Sequence, residues 1–280
     1  LNTDVRIADI TDKKTLKTAM EGVDTVFHCA AIVGEWISKD KAEKINVEGT
    51  RNLLEAGVDA GVKKFIYLSS LAVLGMRDHY NTPPEAPYGF TGDAYSDTKI
   101  KSEKLVMDFY RGHGLPVVIV RPGFVFGPGD KKFLPRMLKL LKEKKFMFLG
   151  SGKNIMNLIF IDNLIDVLIK AGLKEKAAGR IYNVTNKDKL TMKEFVFMLS
   201  DILKFERPRK SIPIPLAKFI ALSMESYGRL TRKKKAPFLT KARIKVASLN
   251  LDFDISKTID DLDYTSRVSI KEGLEKTLRP

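Results

Sequence analysis

Short apolar runs rich in β-branched residues alternate with longer amphipathic stretches along the first part of the chain. Asp24-Thr25-Val26-Phe27-His28, Lys64-Phe65-Ile66-Tyr67-Leu68, Pro116-Val117-Val118-Ile119-Val120 and Ile181-Tyr182-Asn183-Val184 read as strands. Their apolar positions are nearly continuous. Strict alternation is expected only where one face meets water, so these strands suit a parallel sheet covered on both faces. Helices are predicted over 41–59, 95–112 and 161–172, with Gly61 and Gly114 ending the first two. The order strand, helix, strand, helix argues for an α/β doubly wound domain.

Beyond residue 130 the alternation loosens. Residues 1–130 and 158–185 are expected to build the sheet domain. Residues 131–157 and 186–280 are expected to form a smaller, mostly helical substrate domain, interrupted by Pro208, Pro213, Pro215 and Pro237. Within it Leu216, Phe219, Ile220, Ser223, Met224 and Tyr227 follow the spacing of one helical face, with Lys233-Lys234-Lys235 close behind. Two readings stay open. The face packs on the core with a solvated basic loop after it, or it covers an apolar substrate or dips into a membrane surface through 216–235.

Composition narrows the field. With 44% apolar residues and only 19 Gly and 12 Pro, the chain can bury a core and is not a disordered or fibrous protein. Its one cysteine excludes an internal disulfide framework. Its three scattered histidines (His28, His79, His113) offer no zinc spacing, and no metal is expected. The net charge of +15 comes from short, dispersed lysine clusters, which fit a solvated basic surface better than a nucleic-acid groove. No run reaches the ~18 to 20 apolar residues of a bilayer span, and the opening Leu1-Asn2-Thr3-Asp4 is no secretory leader, so a soluble, cytoplasmic chain is expected.

The residues with the clearest chemistry are Tyr95-Ser96-Asp97-Thr98-Lys99, preceded by Leu68-Ser69-Ser70-Leu71-Ala72-Val73-Leu74-Gly75. Tyr95 and Lys99 are four apart and share one helical face. A free phenol titrates near pH ~10, and a neighbouring ammonium would bring it toward the working range of an acid/base. Ser70, at the carboxyl end of a strand where open α/β sheets place ligands, could donate to a substrate carbonyl oxygen.

Taken together, these blocks resemble the extended short-chain dehydrogenase/reductases, the epimerase/dehydratase superfamily, and among them the 3β-hydroxysteroid dehydrogenase-like members. The resemblance runs from Ala8-Asp9-Ile10 to Gly273-Leu274. Val26-Phe27-His28-Cys29-Ala30-Ala31 resembles the family's strand-to-loop turn, and Asn46-Val47-Glu48-Gly49-Thr50-Arg51-Asn52 its Asn-Val-x-Gly-Thr helix. Arg121-Pro122-Gly123-Phe124-Val125-Phe126-Gly127-Pro128 resembles its Arg-Pro turn, and Asp9-Ile10 the pair that touches adenine. Leu74 stands where many members have an aromatic residue. The resemblance implies a Rossmann-like fold and NAD or NADP as cofactor. It also implies Tyr95 as general acid/base, Lys99 as the residue that lowers its pKa and holds the nicotinamide ribose, Ser70 as the group orienting the reacting oxygen, and Asn46 as an organiser of the site. Asp9, Ile10, Cys29, Ala30, Ala31, Leu68, Ser69, Pro122, Gly123, Phe124 and Val125 would join them around the dinucleotide.

The family's opening strand, glycine-rich turn and helix have no counterpart here, so an N-terminally truncated sheet with an open edge is expected, and NAD cannot be told from NADP. Where nucleotide-sugar members carry groups that grip a diphosphate, this chain has Phe124 and Met156. With Ala72, Phe133, Trp36 and the Leu216 to Tyr227 face, these point to an apolar, sterol-like or lipid-like alcohol or ketone, although each could equally be core. A nucleotide-sugar epimerase or dehydratase and a non-catalytic dinucleotide-binding protein remain the alternatives. The resemblance also implies a homodimer.

Overall fold

The computed structural model describes residues 3–34, 37–131, 133–230 and 240–278. Trp36 and Lys233 to Lys235 lie outside the described residues.

Four strands form one parallel sheet in the order β1 (Thr25–His28), β2 (Lys64–Leu68), β3 (Val117–Pro122), β4 (Arg180–Val184). Each matches an expected run to within two residues at either end. The register pairs Val26 with Phe65, Tyr67 with Ile119 and Val120 with Tyr182. Successive side chains leave a strand on opposite faces, and the core divides accordingly. Phe65, Tyr67, Val117 and Ile119 face α1 (Gly49–Asp59) and α2 (Ala94–His113). Ile66, Val118, Val120 and Tyr182 face α3 (Ile161–Leu173). Helices on both faces make the sheet doubly wound, as expected.

The edge strand departs from the expectation of full cover. In β1 Val26 and His28 are buried while Phe27 is 44% exposed, because α3 covers the neighbouring strands and reaches Phe27 only at its end, beside Gly172. Around this edge Ile165, Ile169 and Leu173 are also exposed.

The second cluster gathers Phe126, Leu134, Phe148, Met156, Phe160, Phe195 and Leu274. It is tied together by two-residue and three-residue strand pairs: Phe124–Phe126 with Leu158–Phe160, and Ile155–Met156 with Leu190–Thr191. Residues 251–264 leave this cluster, and Ile270 and Leu274 return to it. Leu251–Phe253 pairs with His79–Thr82, and helix Ser256–Leu262 packs against α3 and β4, with Leu262 and Tyr264 in the core under the sheet. This corrects the expected boundary, which placed all of 186–280 in the second region.

Helix α4 (Ile214–Leu230) decides between the two readings of its apolar face as far as core packing goes. Among its described side chains the buried ones are Ala217 and Ala221, packed on Ile244 of helix Lys241–Ser248. Leu216 and Phe219 of the predicted apolar face point to solvent. Small side chains permit close helix approach, so the alanine stripe, not the bulky one, makes the contact.

Candidate active site

Helix α2 is fixed at both ends by residues suited to those places. Asp93 caps it by accepting from Ser96 N at 2.9 Å. Asp97 reaches back to accept from Thr91 N and Gly92 N, each at 2.9 Å. Gly114 closes it in the left-handed conformation, φ 67°. Tyr95 therefore sits in the first turn, beside the carboxyl end of β2.

Ser70, just past β2, caps the short helix Leu71–Leu74 by accepting from Ala72 N at 3.2 Å. Its hydroxyl also lies against the Tyr95 phenol. Burial raises the Tyr95 pKa above its ordinary value; Ser70 opposes this and Asp93 adds to it. Lys99 behaves differently from the sequence expectation. Its ammonium donates to Leu68 O at 2.7 Å and lies 4.5 Å from the centre of the Tyr67 ring, so it is turned toward β2 and not toward the phenol. The expected depression of Tyr95 by Lys99 is absent in this state. Burial instead brings Lys99 itself down to about 8, opposed by the charge of Glu103. A buried ammonium with no carboxylate against it is held by a carbonyl and a ring face, both weaker partners.

Beside Lys99, the Ser69 amide donates to Val120 O at 2.7 Å, while its buried hydroxyl has no hydrogen-bond partner among the described residues. Cys29 and Ala30 are exposed and Ala31 is half-buried at the end of β1, and Cys29 is near enough to feel the Lys99 charge. Asn46 lies in a π-helical turn, Glu43–Glu48, and is 1% exposed. Its amide accepts from Ile32 N at 2.8 Å and donates to Ile32 O at 3.2 Å and Thr98 Oγ1 at 3.0 Å. Ser102 donates to Asn46 O at 2.7 Å. Asn46 thus binds the loop after β1 to the helix that carries Tyr95 and Lys99.

His28 is buried and neutral. Thr50 Oγ1 donates to Asn46 O, so it must accept from His28 Nε2 at 2.9 Å, and burial lowers the imidazole to about 3.

Pro122 is buried at the end of β3, and Gly123 N donates to Val184 O at 3.0 Å. A Cβ on Gly123 would fall 1.9 Å from Asn157 O, so only glycine fits there. Phe124 N donates to that same Asn157 O at 2.7 Å, and Val125 is 36% exposed. The Phe124 ring stacks on Phe133 at 5.7 Å and 6°, and Phe133 continues to Phe195 at 5.9 Å. Met156, expected at the substrate, is 6% exposed among apolar side chains and serves as core. Asp9 and Ile10 are held at the start of α1. The Asp9 carboxylate accepts from Thr11 N at 2.8 Å, and Ile10 fills the space over Gly49 while its carbonyl accepts from Asn52.

The sequence profile of the 3-beta hydroxysteroid dehydrogenase/isomerase family matches residues 1–216. The chain belongs to this family. It is 32% identical over 287 residues to the 3beta-hydroxysteroid-dehydrogenase/decarboxylase isoform 2 of Arabidopsis thaliana, a match covering 97% of this chain and 50% of that protein. The match to isoform 1 covers 65% of that relative, so the chain spans about half to two-thirds of the length of these proteins. It is also 29% identical over 280 residues to the N-acetyl-alpha-D-glucosaminyl-diphospho-ditrans,octacis-undecaprenol 4-epimerase of Escherichia coli O157:H7, covering 98% of this chain and 82% of that one. Its fold is shared with the UDP-glucose 4-epimerase of Thermotoga maritima, with a TM-score of 0.74, 20% identity, and coverage of 96% of this chain and 81% of that one.

Within this 3-beta hydroxysteroid dehydrogenase/isomerase family member, one functional feature escaped the sequence reading. Glu103, four residues beyond Lys99, is fully buried against Arg121: the guanidinium donates through Nε at 2.9 Å and Nη2 at 2.6 Å, and its Nη1 donates to Pro84 O at 2.7 Å. Tyr88 donates to the same carboxylate at 3.0 Å. This pair locks the helix bearing Tyr95 and Lys99 to the end of β3, from which Pro122 and Gly123 follow. The spacing of Tyr95, Lys99 and Glu103 at four-residue steps was the available signal.

Proposed function

We propose that the chain carries the proton-transfer machinery of an NAD(P)-dependent oxidoreductase that interconverts an apolar, sterol-like or lipid-like secondary alcohol and its ketone. The observation that carries this reading is the contact of the Ser70 hydroxyl with the Tyr95 phenol just past β2, with the buried Lys99 ammonium of the same helix held to Leu68 O at that strand end.

The donor set suits the nicotinamide ribose. Lys99 is a buried cation with N–H groups beyond the one given to Leu68 O, and Ser69 holds an unpartnered hydroxyl beside it. Cys29 and Ala30 leave backbone open at the neighbouring strand end. When bound, the dinucleotide supplies or accepts hydride. Ser70 then orients the substrate oxygen. Tyr95 Oη gives the proton to that oxygen in reduction and takes it in oxidation. Lys99 turned from Leu68 O toward ribose hydroxyls would set its charge to lower the phenol, which burial alone holds too high. Asn46, through Thr98 and Ser102, keeps this helix at its distance from the loop after β1. Phe124 and Phe133, stacked on one another, form an apolar wall.

The test is dinucleotide reduction followed by absorbance when apolar secondary alcohols are added to the full-length protein. Reduction that disappears in Tyr95→Phe is expected; equal rates in the variant would refute the proton path. The epimerase relative motivates a second reading, turnover of a diphospho-linked sugar with no net change in dinucleotide. Such turnover in the same preparation, without alcohol oxidation, would replace the first.

A further inference from the structure

Ser70 and Tyr95 touch although residues 71–94 run between them, and the route of that segment is pinned at one crossing. Gly75, which closes the short helix Leu71–Leu74, meets Gly89, which leads into the helix bearing Tyr95. A Cβ on Gly89 would lie 2.6 Å from Gly75 Cα, 2.8 Å from Leu74 O and 2.9 Å from Gly75 N, all backbone atoms that cannot turn aside. Gly75 itself has φ 95°, a conformation that side chains disfavour. Gly89 N donates to Val73 O at 2.9 Å and closes the crossing. Residues 76–88 thus form a lobe shut at its neck, and the path that sets Ser70 against Tyr95 shortens to 70–75 and 89–95.

His79 fills the lobe. It is 1% exposed and packs on the Phe253 ring, 4.4 Å from centre to centre. Its Nε2 lies 3.0 Å from Gly75 O and its Nδ1 3.1 Å from Thr82 Oγ1. A carbonyl only accepts, so Nε2 carries the proton and, in the neutral ring, Nδ1 accepts from the Thr82 hydroxyl. Burial lowers the His79 pKa below its ordinary value, opposed by the bond to Gly75 O, and the ring is neutral at pH 7. The main chain here is fastened to a distant part of the sequence. His79 N donates to Asn250 O at 2.7 Å, the Asn250 amide donates to His79 O at 2.6 Å, and Asp78 accepts from Asn250 N at 2.8 Å. The imidazole therefore ties the glycine crossing to the strand Leu251–Phe253.

We infer that His79 and the Gly75–Gly89 crossing are positioning residues for the Ser70–Tyr95 pair. Ser70 Oγ accepts from Ala72 N, which leaves its own O–H for the phenol, and the crossing sets where that short helix stands against the first turn of α2. His79 acts through Gly75 O and not on the phenol. This role rests on the proposed proton path and names what holds its two hydroxyl groups together.

The test is a fluorine-19 NMR titration of the full-length protein with fluorotyrosine in place of tyrosine, the Tyr95 signal assigned with Tyr95→Phe. A Ser70 hydroxyl donating to the phenol favours its ionised form. Ser70→Ala should therefore raise the Tyr95 midpoint, by about one pH unit. His79→Leu should raise it comparably, and Ser70→Ala/His79→Leu no further than Ser70→Ala alone. His79→Gln, which keeps an N–H for Gly75 O, should stay near the parent. A midpoint that Ser70→Ala moves and His79→Leu does not, or a double variant whose rise is the sum of the two, would overturn the positioning role and leave the proton path standing. No change in Ser70→Ala would overturn both, since no contact would be there to position. Nitrogen-15 shifts of His79 in the parent protein give a reading that needs no variant to fold. A protonated Nε2 beside an unprotonated Nδ1 is expected at pH 7; the reverse tautomer would rule out the bond to Gly75 O and overturn the role.

Discussion

Two buried charges sit one turn apart on α2, and the fold treats them in opposite ways. Glu103 is met by Arg121 in a two-pronged ion pair, with Tyr88 donating a third bond, and both charged side chains are essentially fully buried. Lys99, 3% exposed, has a carbonyl and an aromatic face but no carboxylate in contact among the described residues. A buried pair with its hydrogen bonds made holds two elements in register, whereas a buried cation without a counter-ion costs stability. The difference separates what holds the site from what works in it. Glu103 fastens the helix to β3, and Lys99 keeps a charge where the proposed cofactor and phenol would use it.

The largest expected effect breaks the satisfied charge. Glu103→Gln leaves the Arg121 guanidinium buried without its partner and should lower unfolding free energy by about 3–5 kcal/mol, read from denaturant unfolding. A double variant Glu103→Gln/Arg121→Met should recover part of that loss. Recovery of nothing would mean that Arg121 contributes chiefly through Pro84.

Lys99→Met removes the other charge and should have the opposite signature. Turnover should fall by about 100-fold or more, while the melting temperature stays level or rises, since burial already disfavours the ammonium. A fall in melting temperature comparable to that of Glu103→Gln would erase the distinction between the two.

Asn46 gives an intermediate case, a buried polar group fully satisfied without charge. Asn46→Ala should cost about 1–3 kcal/mol by stranding the Ile32 backbone and Thr98, visible in thermal unfolding. It should also raise hydrogen exchange at Ile32.

His28 sharpens the comparison from the side of pH. Its pKa is lowered to about 3 by burial, so below the ordinary histidine range the unfolded chain binds a proton that the folded chain refuses. Stability should therefore be unaffected by His28 above pH ~6.5 and should fall by up to about 1.4 kcal/mol per pH unit as pH drops from there toward 3. His28→Gln should flatten that segment of the stability profile.

The four sheet strands and the helix bearing Tyr95 were legible because their signals are local: apolar runs of strand length and a glycine, Gly114, at the helix end. The juxtaposition of Ser70 with Tyr95 was legible through the resemblance. The partner of Lys99 was not, because nothing in the spacing of Tyr95 and Lys99 tells that the ammonium turns to Leu68 O across a strand. Phe124 and Met156 looked alike as apolar replacements, yet one stacks half-exposed on Phe133 and the other is enclosed, a distinction made only by tertiary packing. Whether the apolar face of α4 turns inward or outward stayed open in the sequence for a similar reason. Periodicity finds a stripe of large apolar residues but cannot know that Ala217 and Ala221 supply the closer fit to Ile244.

The most direct test of the uncompensated charge is a carbon-13 NMR titration of the Lys99 ε-methylene in the full-length protein, assigned with Lys99→Met, with and without dinucleotide. The account predicts a midpoint near 8 in the free protein, well below the ordinary lysine range, and a shift of that midpoint when NAD(P) is added. An ordinary lysine midpoint, or one that the dinucleotide leaves in place, would contradict it.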